Sequence, residues 1–148
     1  LDFGIWGHTS NGKSGPDSRS YEQSYLRFNF DRQGARWLTR FGVQLSYLHK
    51  LDFTNHDITD FISPLSFHVS FTQQFDSWID KSEIAFQASP GGKFANHWGK
   101  GGYQASWSFR PARLQLVPAI YFQYFYGHAE TLLNYEQKVS EFRGGLIF

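Results

Sequence analysis

Side-chain polarity in this chain alternates with a period of two, over stretches longer than the strands of most soluble domains. From Ala35 to Leu48 the odd positions are Ala35, Trp37, Thr39, Phe41, Val43, Leu45 and Tyr47. The even positions are Arg36, Leu38, Arg40, Gly42, Gln44, Ser46 and Leu48. A two-residue repeat separates an apolar from a polar face on a β-strand, which no helical repeat does. Leu65 to Thr72, Glu83 to Ser89 and Tyr103 to Phe109 repeat the pattern. Leu114 to Tyr126 is aromatic on both faces, and Tyr135 to Phe148 sets Phe142, Leu146 and Phe148 against Gln137, Glu141 and Arg143. Turn signals at Asp31-Arg32-Gln33-Gly34, Asp76-Ser77, Pro90-Gly91-Gly92 and Pro111-Ala112 separate the segments. With Leu1 to His8 and Ser20 to Phe30 the expectation is eight strands and no helix.

A soluble β-sandwich uses strands of about five or six residues with the apolar face inward. A transmembrane barrel turns that face outward, in spans of about 9–11 residues with aromatic girdles and a polar lumen. The long strands fit the second case, and Arg36, Arg40, Glu83, Glu141 and Arg143 suit a lumen in which opposite charges pair. The expected fold is therefore an all-β antiparallel transmembrane β-barrel, in one domain over residues 1–148. The alternative is a secreted β-sandwich with an aromatic binding face.

Composition supports this. Aromatic residues are 20% of 148, which excludes disorder. No apolar run reaches the roughly 18 residues of a membrane helix. A net charge of +1 gives no reason to expect nucleic acid as a partner. There is no Cys, hence no disulfide, thiolate zinc site or cysteine nucleophile. The chain opens on Leu1-Asp2-Phe3 without Met, so a processed or N-terminally incomplete chain is expected.

Chemistry concentrates in the first hairpin. His8 and Ser10 stand two apart, on one face of a strand. Residues 11–19, rich in Gly, Ser, Pro and Asp, read as a loop. Symmetric pairing about that loop sets Ser10 opposite Ser20 and His8 opposite Glu22, with Cβ atoms about 4.5–5.5 Å apart. Ser10, His8 and Glu22 would then be a nucleophile, its base and the acid that orients the base. On this parity Glu22 shares a face with Leu26, Phe28 and Phe30, so the group faces lipid, whereas Phe3 and Ile5 fall on the luminal side.

His8-Thr9-Ser10-Asn11-Gly12-Lys13-Ser14, followed by Ser18-Arg19-Ser20, resembles the signature of outer-membrane phospholipase A, the barrel lipase of Gram-negative bacteria. Tyr25-Leu26-Arg27, Asn55-His56-Asp57-Ile58-Thr59 and Leu132-Leu133-Asn134-Tyr135 continue the likeness. The resemblance implies a twelve-stranded outer-membrane barrel of which these strands are the C-terminal eight. It implies calcium-dependent hydrolysis of phospholipid acyl esters by a homodimer, with Ser10 as nucleophile, His8 as general base and the Gly12 N–H at the oxyanion. Glu22 stands where that family usually has Asn. Calcium ligands carry over onto the Lys13 carbonyl and onto Ser18; a further loop carboxylate falls on Thr54, with Asp52 and Asp57 nearby.

Two other functions are compatible with these residues. A lipid A deacylase uses a Ser-His-Glu triad on an eight-stranded barrel, though late in the chain. A non-catalytic barrel would be indifferent to His8 and Ser10. The remaining histidines carry no ligand spacing: His49, His56 and His97 read as loop-side surface residues, His68 as luminal, and Gly127-His128 as turn chemistry.

Overall fold

The computed structural model describes residues 2–10, 20–51, 53–112, 118–130 and 135–147, and for 2–10, 50–51 and 53–56 the backbone course alone. Eight strands follow one another: β1 (Asp2–Ser10), β2 (Ser20–Gln33), β3 (Trp37–Leu51), β4 (Leu65–Gln74), β5 (Ile79–Gly91), β6 (His97–Pro111), β7 (Ala119–Gly127) and β8 (Val139–Ile147). They form one antiparallel sheet in sequence order. Each strand pairs with its sequence neighbour, as short turns between alternating segments dictate. Among the described residues no helix is long and apolar enough to cross a membrane. The helical element present is a 3₁₀ segment, Phe53–Asp60, between β3 and β4, where none was expected.

The register sorts the side chains into rows. One row runs Phe30, Phe41, Val69, Phe86, Ala105, Tyr124, Phe142 across seven strands. Its large members are all exposed, and Phe30 and Phe142 stack on Phe41 and Phe122 respectively. The adjacent row on the other face runs Asn29, Gly42, His68, Gln87, Gln104. An apolar face this broad and this exposed marks a surface that meets lipid or protein, and strands of this length fit a membrane span.

The polar face is concave. A cavity of about 380 Å³ is lined from β2 to β8, by Gln23, Gln44, Gln87, Gln104, Gln123 and Arg143 among others. Its charges pair as the barrel reading requires. Arg40 donates twice to Asp31, at 2.9 and 2.8 Å. Thr72 donates to Glu83 at 3.0 Å. Arg143 donates to both Glu141 oxygens, at 2.9 and 3.0 Å, and meets Glu130 at 2.5 Å. Arg36 departs from the expectation: it lies before β3 and pairs with Asp76 in the β4–β5 turn, at the rim rather than in the lumen.

Short turns at 34–36 and 75–78 mark one end of the sheet, and the segments 53–64 and 92–96, with 128–130 and 135–138, mark the other. At the second end Ile58 is fully buried and Tyr135 nearly so. Phe61 packs on His128 and Tyr135, with ring centroids 5.2 and 5.6 Å apart. Lys100 lies 5.0 Å over Phe61 and reaches Asp60 at 3.3 Å. Tyr135 thus belongs to this cap and not to the last strand, which begins at Val139. Gly127 closes β7 at φ 129°, where a Cβ would meet the Gly101 carbonyl oxygen.

Candidate active site

β1 and β2 pair with Ser10 opposite Ser20, Thr9 opposite Tyr21 and His8 opposite Glu22. This is the register that symmetric pairing about the loop implies. Gly12, Lys13 and Ser18 lie outside the described residues, and His8 and Ser10 are placed by backbone alone. Glu22 is half-buried on β2.

The face of the hairpin is set by two bulges. Gly4 pairs with Tyr25 but Gly7 with Gln23, so β1 carries one residue more than β2 between them. Position 3 therefore stands opposite Leu26, on the lipid-facing side. This corrects the expectation that Phe3 falls on the luminal side: strict alternation was assumed through a segment where the backbone interrupts it. Both the start of β1 and the His8–Ser10 end now share the outer parity of Glu22, Leu26, Phe28 and Phe30.

The second bulge lies on β3. Gln23 pairs with Leu48 and Glu22 with Lys50, which makes His49 the extra residue. A bulge re-aims a side chain. His49 Nε2 lies 2.5 Å from Ser24 Oγ, and its ring meets that of Tyr47 edge-on at 5.1 Å. Ser24 is the next position on Glu22's face, about 7 Å along the strand. Sequence reading left His49 as a loop-side residue; nothing in its spacing announces the bulge. His68 is luminal as expected, and His97 lies in β6.

Among the described residues no group of three or more His, Asp or Glu is placed to hold a metal ion. Asp57, close in sequence to Thr54, accepts a 2.6 Å hydrogen bond from the Tyr135 hydroxyl. Two of the sequence islands that carry the resemblance, 55–59 and 132–135, are thereby joined in space.

A family model described as phospholipase A1 matches residues 1–148. The chain belongs to the phospholipase A1 family. The solved structure of the Salmonella typhi outer membrane phospholipase dimer with bound calcium superposes with a TM-score of 0.68 at 21% identity. It is covered over 48% of its length by 95% of this chain. Outer membrane phospholipase A from Escherichia coli gives 0.67 at 20% identity, with the same coverage. This phospholipase A1 family chain thus spans about half the length of the solved structures it matches. No curated protein matches it. The fold is that of the outer-membrane phospholipase β-barrels, with the apolar side chains on one face of the sheet and the polar ones on the other.

Proposed function

We propose that the chain carries the catalytic hairpin of an outer-membrane phospholipase that hydrolyses phospholipid acyl esters by a Ser-His-Glu mechanism. The observation that carries this reading is the pairing of His8 with Glu22 across β1 and β2, two residues from Ser10 and on the lipid-facing parity. Ser10 attacks the ester carbonyl, His8 takes its proton and returns it to the leaving alcohol, and water then hydrolyses the acyl-enzyme. Glu22 orients His8 and stabilises the imidazolium. The Gly12 N–H donates to the oxyanion. A triad facing outward suits a substrate that arrives from the bilayer.

Calcium is the cofactor of this reading, held by the Lys13 carbonyl and by Ser18. Residues 11–19 connect Ser10 to Ser20, a directly paired couple, and Lys13 and Ser18 would hold the ion in this reading. Hard oxygen donors on such a loop suit calcium, which supplies positive charge near the developing oxyanion. In this reading the chain acts as a homodimer on membrane phospholipids, which the dimer seen for the Salmonella typhi protein supports.

The test is fatty-acid release from phospholipid in detergent micelles by the refolded full-length protein, with calcium or chelator. Calcium-dependent release that Ser10→Ala lowers at least roughly a thousandfold is expected. Full activity in Ser10→Ala would overturn the mechanism. Inactivity of a folded protein on phospholipid, with release from lipid A, would transfer the reading to a lipid A deacylase.

A further inference from the structure

The lipid-facing row Phe30, Phe41, Val69, Phe86, Ala105, Tyr124, Phe142 has one small member. At Ala105 the wall of large side chains opens into a furrow of about 360 Å³. Phe86 and Tyr124 flank it on the neighbouring strands, and Tyr103 and Tyr126 stand over it in the next row toward the loops. Hydrogen bonds hold both sides. The Tyr103 hydroxyl donates to the Trp98 carbonyl at 2.7 Å, and the Tyr124 hydroxyl lies 3.0 Å from Ser140 Oγ. The furrow is therefore shaped before anything enters it, which lowers the ordering cost of binding.

Its mouth carries a cation. Tyr126 is the last outward position of β7 before Gly127, and Lys138, exposed just before β8, rests its Nζ 4.4 Å over the Tyr126 ring. Apolar walls lie at acyl depth and an ammonium at the loop-side rim, the order in which a lipid presents its chain and its phosphate.

We propose that this furrow is a lipid-binding site on β5–β7, taking one acyl chain of an anionic phospholipid whose head group meets Lys138. It lies on strands remote in the sheet from the β1–β2 hairpin and does not rest on the catalytic reading. Ala105 sets the depth of the site, and Lys138 sets its head-group preference.

The test is native mass spectrometry of the delipidated full-length protein in detergent, offered phosphatidylglycerol and phosphatidylcholine with identical acyl chains. One phosphatidylglycerol retained per chain is expected, in roughly fivefold preference over phosphatidylcholine. Ala105→Phe should abolish the retained lipid, with heat-shifted gel mobility reporting that the barrel is folded. Lys138→Gln removes the cation over Tyr126 and leaves the furrow's wall residues in place, so it should keep the lipid and erase the preference. Wild-type binding in both variants would overturn the site. So would an Ala105→Phe variant that alters only the monomer–dimer ratio, since the furrow would then belong to a second copy of the chain.

Discussion

The Tyr135 hydroxyl donates to Asp57 Oδ1 at 2.6 Å across 78 residues of sequence, joining the β3–β4 loop to the β7–β8 loop at the mouth of the barrel. Around it Ile58 and Tyr135 supply the burial, and Phe61, His128 and Lys100 the flanking contacts. Tyr135→Phe removes the bond and keeps the ring. The expected loss is about 1 kcal/mol, because Asp57 is exposed and rehydrates. Faster proteolytic nicking within 53–64 reads the change; nicking at the wild-type rate would show that apolar packing alone closes the cap.

Glu22 offers a sharper comparison. Glu22→Asn keeps a group able to accept from an imidazole N–H, and the resembling family uses that residue. Glu22→Ala keeps none. Turnover should fall roughly a hundredfold or more in the Ala variant and far less in the Asn variant. Equal kcat in all three proteins would remove Glu22 from the mechanism.

The Ser24–His49 contact lies one outward position from Glu22 and occupies the β3 bulge. If the bulge positions the strand that carries Glu22, His49→Ala should lower kcat about tenfold with KM little changed, since small misplacements of catalytic groups cost rate. An unaltered kcat would leave the pair a surface contact.

Gly127→Ala forces a side chain into φ 129° and against the Gly101 carbonyl oxygen. A cost of about 1–3 kcal/mol is expected. It would appear as a lower urea midpoint in micelles, with an unchanged midpoint refuting the strain.

The eight strands were legible because alternation is a property of single positions. Phe41, Val43 and Leu45 declare a face whatever their partners do. The polar lumen followed from the same parity, whereas the register of the first hairpin followed from symmetric pairing about its loop. What escaped were features set by backbone continuity and by distant partners. The extra residue between Gly4 and Gly7 does leave a trace, since Phe3 and Ile5 fall out of parity with His8 and Ser10, but strict alternation reads that break as a luminal position 3 and not as a bulge. His49 is the exposed residue beside a loop that the sequence suggests, but its place as the extra residue of the β3 bulge has no sequence signal. Tyr135 continues an aromatic alternation into β8 in the sequence, and its burial against Phe61 and its bond to Asp57 show that it caps the barrel instead. The 3₁₀ turn at Phe53–Asp60 carries no strong helical signal, its apolar residues being few and scattered.

The bulge in β1 also divides the strand into two independent keyings. Asp2 to Gly4 are matched to Tyr25–Arg27, while Gly7 to Ser10 are matched to Ser20–Gln23, one residue out of step. An ungapped strand could satisfy one of these and not the other. Deleting a single residue from 5–6 would therefore force a choice between seating the membrane end of the strand and keeping His8 across from Glu22.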